Sequence, residues 1–341
     1  MALSCAVLRH SSRFHSRCHC HRRRLEQGTL SLRPSIQYNS GIMSRVFIGT
    51  AGWSYEDWAG IVYPERKEAG FHPLTFLAAH IDIVEINSTF YRPPAVTMSL
   101  HWVKRVAGFP DFLFAVKVHQ VFTHERKAWT QKDAEDFKLG IEPLRAGRRL
   151  ASLLFQFPWS FINSPEHREY LIRLFGLFAG YPMTVEVRHS SWEVPEFFEL
   201  LAAHRVCYCN IDQPVLHNSI EPSAKVTRPD FSYVRLHGRN YKDWFREGAG
   251  RDDRYNYLYA KNELDEWVER IRELGQNTEK VFVITNNHYR GQALANALQI
   301  KNMITGEKLD IPRSLLKTYP VLEEIVKKIA KGQLDLFDEK K

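Results

Sequence analysis

Glu85, Lys117, Glu186, Arg188, Asp212 and His237 are of the types that move protons or neutralise anions, and each stands at or near the end of a short β-rich run. Carboxylates and imidazoles that converge on a divalent metal ion activate water and offset phosphate charge. Glu85, Glu186, Asp212 and His237 are donors of that kind, with His119, His189 and His288 near other run ends. Arg188, Arg235 and Lys117 would hold phosphate through charge-assisted hydrogen bonds. Metal-assisted phosphoester cleavage is therefore the first reaction class. The donors are scattered, with no H-E-x-x-H or other tight ligand spacing, so a divalent ion is an option rather than a requirement. Lys117 and Arg188 would neutralise the carboxylates in its place.

Glu85 and Glu186 also suit glycoside chemistry. Two carboxylates about 5–9 Å apart across a cavity act as acid and nucleophile, or acid and base. Arg188 lies one step beyond Glu186 on the same strand face and would keep it ionised, leaving Glu85 as proton donor. Trp53, Tyr55, Trp58, Tyr91, Trp159 and Trp192 are placed to stack on sugars or bases, or to pack a rim. The amides of Asn87, Gln156, Asn286 and Asn287 bind hydroxyls or phosphate, or tie down loop backbone. A third reading is a non-catalytic binding module. The stretch 238–259, "GRNYKDWFREGAGRDDRYNYLY", mixes basic residues such as Arg239 with aromatics and acids, as suits a lid or a nucleic-acid-contacting loop.

Positioning these groups takes a repeated element. The β-rich runs are 45–53, 81–90, 112–120, 151–159, 183–190, 205–212, 231–238 and 280–287, and most gaps carry helical patterns. Ser164 and Pro165 open one helix as N-cap and first residue. Leu264, Trp267, Val268 and Ile271 form the apolar stripe of another, with Gly275 as its stop. Eight strand–helix units predict a single-domain α/β fold, a (β/α)8 TIM barrel over residues 43–310. A doubly wound sheet is the alternative, but no G-x-G-x-x-G follows the first run. Within each strand, alternate residues share a face. Glu85 with Asn87, Lys117 with His119, Glu186 with Arg188, Arg235 with His237, and Asn210 with Asp212 are expected to face the lumen. Their place is the C-terminal mouth, where such barrels carry their sites.

The motifs "GTAGWSYEDWAGIVYP", "VEINSTFYRPP", "TVEVRHSSW", "YVRLHGR" and "TNNHYRGQALANAL" resemble, in matching order over about residues 45–300, the YecE-like TIM-barrel family, a domain of unknown function. The resemblance implies the barrel and supplies no reaction. The family is distantly similar to metal-dependent barrels that cut DNA at abasic sites or isomerise sugars, an analogy of fold alone.

The formal charge is +8, yet Arg9, Arg13, Arg17, Arg22, Arg23, Arg24 and Arg33 against Glu26 place +6 within residues 1–42, which leaves +2 for the remainder. The net charge of the folded part does not itself argue for nucleic acid. Residues 1–42 read as an extension ahead of a true start at Met43, or as a transit-like segment, and "CHCH" at 18–21 falls within them. Cys207 and Cys209 read as reduced buried thiols of a cytoplasmic protein, and no run is long enough to span a membrane. Residues 311–332 suggest one amphipathic helix. Beyond it, Gln333, Leu334, Leu336 and Phe337 in the tail 333–341 resemble the short peptide by which bacterial polymerases and repair proteins hook the sliding clamp. That partner would place the chain at DNA and favour an enzyme acting on DNA-related phosphoesters or lesions over carbohydrate chemistry.

Overall fold

The computed structural model describes residues 44–327, except Ala128, Phe245, Glu247 and Ala249 and the side chains of Arg251 and Asp252. The extension 1–42 and the tail 333–341 with its clamp-like peptide lie outside the described residues.

Eight parallel strands close in sequence order: β1 (Arg45–Ala51), β2 (Ile83–Ile86), β3 (Leu113–Lys117), β4 (Leu150–Gln156), β5 (Met183–Glu186), β6 (Cys207–Asp212), β7 (Ser232–Leu236) and β8 (Lys280–Thr285). The seam is β1 on β8, in register from Arg45↔Lys280 to Thr50↔Thr285. Every strand runs the same way, so all eight C-terminal ends open on one mouth. Gly49 shows how closely the wall is drawn: a Cβ there would lie 1.6 Å from the Ile83 carbonyl oxygen of β2.

The helices are α1 (Pro73–Ala78), α2 (Ser88–Tyr91), α3 (Val96–Arg105), α4 (Gln131–Ala146), α5 (Pro165–Leu177), α6 (Pro195–Ala203), α7 (Arg251–Arg254), α8 (Lys261–Asn277), α9 (Gln292–Thr305) and α10 (Arg313–Thr318). Their starts are chemically specified. Ser164 Oγ accepts from His167 N at 3.2 Å ahead of α5, with Pro165 at its first position. Thr130 and Asp133 form a reciprocal capping box ahead of α4, with Thr130 N donating to Asp133 Oδ2 at 2.7 Å. The apolar stripe of α8 is buried as expected, but Gly275 does not end it. A Cβ at this position would lie 3.3 Å from Ser44 Cβ, and the helix runs on to Asn277. No helix spans the β6–β7 gap.

The single helix expected over 311–332 is instead broken among the described residues. α10 ends at Thr318 and a 3-10 turn follows at Pro320–Glu324. A proline pushes the residue before it out of the α region, and Tyr319 is accordingly extended, at φ −127° and ψ 81°. No helix among the described residues is long and apolar enough to cross a membrane.

Candidate functional site at the barrel mouth

Strand alternation decides what enters the lumen. On β7, Tyr233, Arg235 and His237 point inward, one above another. Arg235 is 1% exposed and spans the lumen between two strands. Its Nη2 and Nε donate to Glu85 of β2 at 2.6 and 2.9 Å, and its Nη1 donates to Glu186 of β5 at 2.5 Å. Tyr233 Oη adds a hydrogen bond to Glu85 at 3.0 Å. Arg188, just past β5, closes on the other oxygen of Glu186 through Nε and Nη2 at 3.0 and 2.9 Å. The result is an alternating chain across the barrel: Glu85, Arg235, Glu186, Arg188. Glu85 and Glu186 are fully buried, which is tolerable only because each oxygen has a cationic or hydroxyl partner.

Charge states follow from this chain. Burial alone would raise the Glu186 carboxyl, but Arg235, Arg188 and His237 outweigh it and hold it well below the ordinary carboxylate range. His237 sits over Glu186 with Nε2 at 3.2 Å, and its Nδ1 pairs with Asn286 Nδ2 at 2.9 Å. Burial drives His237 down to about 3, against Glu186 and with help from Arg188 and Arg235, so it is neutral at physiological pH. Cys209 of β6 points into the same space, Sγ 4.0 Å from Glu186 Oε2, and burial beside that carboxylate keeps its thiol protonated.

Lys117, the last residue of β3, differs from its neighbours. It enters no ion pair among the described residues, and its Nζ lies 4.1 Å from the centre of the Phe90 ring. Burial, with Arg235, lowers it to about 7. His124 packs edge-on against the same ring at 4.8 Å and is lowered to about 4 by burial, Lys117 and Arg188. His124 belongs to a π-helical turn, Val121–Glu125, a rare local structure found mostly at functional positions. Above the ions lie Trp244 and Tyr255, from the stretch 238–259 expected as a lid or contact loop. Trp244 is 8% exposed and covers both Arg188, at 5.6 Å, and His237, at 6.1 Å. Tyr255 packs beside Trp244 at 5.9 Å.

Glu85, Lys117, Glu186, Arg188, Arg235, His237 and Asn286 are thus brought together as the sequence suggested. Asn87 follows β2 at the same mouth, its Oδ1 buried without a hydrogen-bond partner. Asp212 is a correction. On β6 it is Cys207, Cys209 and Ile211 that face the lumen, while Asn210 and Asp212 face outward. Asp212 accepts from Trp267 Nε1 of α8 and from Arg239 Nε and Nη2, at 3.0 and 2.7 Å for the arginine. Arg239 is therefore occupied on the outer layer, with Glu263 as a second partner at 3.2 Å. Asn210 is held by Lys225 N at 2.7 Å.

Other candidates serve the scaffold. Trp192 is fully buried and donates to the Phe161 carbonyl at 2.6 Å. His119 accepts from Val121 N at 3.3 Å and His189 from Ser191 N at 3.1 Å, each capping the turn that follows it. Asn287 bonds Tyr257 O and Asn296, and Gln156 bonds Phe157 O. Tyr55 donates to Ala51 O at 2.5 Å, and Trp53 packs edge-on against Trp102 at 5.9 Å. Tyr91 is 68% exposed, away from the ion chain. Among the described residues no three His, Cys, Asp or Glu side chains are grouped to hold a metal ion. The oxygens of Glu85 and Glu186 already face Arg235, Arg188, Tyr233 and His237, so this donor set does not fit a divalent ion.

The model of a family described as "Protein of unknown function DUF72" matches residues 47–318. The UPF0759 protein YunF of Bacillus subtilis is 30% identical over 288 residues, which is 79% of this chain and 99% of that protein. A crystal structure of a DUF72 family protein from Thermotoga maritima superimposes with a TM-score of 0.68 at 36% identity, covering 76% of this chain and 99% of that one. One from Enterococcus faecalis gives 0.67 at 25%, covering 78% and 97%.

Proposed function

The chain belongs to the DUF72 family, the YecE-like family under another name, and on that premise we propose that its barrel mouth is an enzyme site for a phosphate-bearing substrate. The observation that carries this reading is the pair of cationic side chains at the top of the ion chain. Arg235 and Arg188 together balance the two buried carboxylates; Arg188 is partly exposed and reaches Glu186 through Nε and Nη2, and Lys117, without an ion pair among the described residues, adds positive charge at the mouth when it is protonated. A phosphate satisfies both cations and suffers no competition from a free carboxylate. Phe90, Trp244 and Tyr255 line the approach and suit a ring or base carried by the phosphate.

The carbohydrate alternative, with Glu85 as acid and Glu186 as nucleophile, fits less well. Both carboxylates are clamped by one guanidinium instead of facing an open gap. Metal-assisted cleavage has no ligand set among the described residues. Cleavage at a phosphoester-bearing lesion therefore rests on the chain's own amine and guanidinium groups. Recruitment to DNA through Gln333, Leu334, Leu336 and Phe337 remains part of the proposal. Titration of the full chain against a bacterial sliding clamp tests it, and binding that survives Gln333→Ala with Phe337→Ala would refute it.

Calorimetric titration of the full chain with inorganic phosphate and with an abasic-site oligonucleotide tests the site itself. Binding that is lost in Arg188→Ala is expected. Binding of an uncharged sugar with equal strength in wild type and Arg188→Ala would overturn the phosphate reading.

A further inference from the structure

We propose that Lys117 forms a covalent imine with the carbonyl carbon of a phosphorylated aldehyde or ketone held at the barrel mouth. The inference rests on the phosphate reading above and names the chemistry of that same site.

Every other charge in the lumen is matched. Arg235 has two carboxylates, Arg188 shares one of them, and His237 is neutral between Glu186 and Asn286. Lys117 alone rests its Nζ on an aromatic face, Phe90, with no ion pair among the described residues. The groups facing it are Glu85 of β2, Glu186 and Arg188 of the β5 end, Arg235 of β7 and His124 of the π-helical turn. Two arginines among these disfavour an ammonium, as does the loss of water. Such surroundings turn a lysine into a nucleophile. The amine is also well placed in the fold. It ends a strand at the mouth, within electrostatic reach of Arg188, which would hold the phosphate. Asn87 Oδ1, buried and unpartnered, offers an acceptor at that mouth for a substrate hydroxyl or for the hydroxyl of the addition intermediate.

The step is balanced without an outside reagent. The Lys117 nitrogen adds to the carbonyl carbon, and the carbonyl oxygen leaves as water with two of the three ammonium protons. The third proton stays on the iminium nitrogen.

The test is reductive trapping. The full chain is incubated at neutral pH with glycolaldehyde phosphate, or with an abasic-site oligonucleotide, in the presence of cyanoborohydride. Intact and peptide mass then locate the adduct, whose mass is that of the probe less one oxygen. Trapping at Lys117 at least about tenfold faster than at an exposed lysine such as Lys104 is expected, because a desolvated amine is far more often unprotonated. The variant Lys117→Met, which removes the amine without placing a fixed charge in the lumen, must lose the adduct. Adduct with both probes, or with only one, says which phosphorylated carbonyl fits. Phosphate binding that depends on Arg188 but no adduct at Lys117 overturns the imine and leaves the phosphate reading intact. Equal trapping at Lys117 of glycolaldehyde without its phosphate keeps the amine's role and overturns the phosphate reading. Trapping spread evenly over surface lysines overturns the imine.

Discussion

Replacing Arg235 by methionine isolates what the buried ion chain does for the fold. Methionine keeps an unbranched apolar stem and removes the guanidinium. Glu85 then loses both of its charged hydrogen bonds and keeps Tyr233, while Glu186 loses one and keeps Arg188. Removing one partner from a buried pair costs about 3–5 kcal/mol. Here a guanidinium shared by two carboxylates disappears, so the upper end of that range is expected at pH 7. The pH dependence gives the sharper readout. In the wild type Glu186 lies well below its ordinary value of 4.5, so its contribution is present above that pH and is lost as pH falls through the folded value. In Arg235→Met the carboxylates lack their cation, and protonation relieves the variant. The gap between wild type and variant should therefore narrow between pH 7 and pH 4. Urea denaturation of both proteins at several pH values measures it. Adding Glu85→Gln and Glu186→Gln to the variant should restore most of the loss. A penalty below about 1 kcal/mol at pH 7, typical of exposed pairs, or one constant with pH, would refute the buried-chain argument.

Lys117→Met should raise stability at pH 7 by on the order of 2 kcal/mol after allowance for solvent screening. The reason is that the folded lysine titrates near 7 and the unfolded one near 10.5. Wild-type stability should climb with pH across that window and the variant's should not, which denaturation at pH 7 and 10 checks. Asp212→Asn should weaken the hold of β6 on α8 by about 1–3 kcal/mol, because Trp267 and Arg239 lose their charged acceptor. Binding of phosphate at the mouth should survive that change at temperatures where the variant is folded. Gly49→Ala should yield no soluble barrel, since its Cβ would overlap the Ile83 carbonyl at 1.6 Å, and expression with circular dichroism checks this.

Much of the site was legible because strand periodicity and one fold rule act together. Once eight β-rich runs are counted, alternation carries Glu85, Lys117, Glu186, Arg235 and His237 to one mouth. Extending the same alternation one step down β7 from Arg235 would have added Tyr233. Asp212 was misplaced because "CYCNID" has polar and apolar residues on both faces, and its phase is set from outside the strand. Trp267 Nε1 and Arg239 give Asp212 partners on the helix layer, while the two small thiols fit the crowded lumen. The role of Phe90, His124 and Trp244 had no periodic signal at all. They lie on a short helix, a π-helical turn and a long loop, whose geometry depends on contacts made after the barrel closes. Pro320 was readable as a breaker and outweighs the amphipathic pattern that surrounds it.

The ion chain also sets a schedule for synthesis. Arg235 follows Glu85 by 150 residues. At ribosomal rates of about 5–20 residues per second, Glu85 leaves the ribosome about 8–30 s before its counter-ion exists. Through that interval strands β1 to β4 cannot close around a dry lumen without stranding a charge, so the half-made barrel must stay hydrated. Completion of β7 removes that obstacle at once. The buried guanidinium therefore ties the drying of the lumen to the arrival of β7, the strand that brings the counter-ion of Glu85.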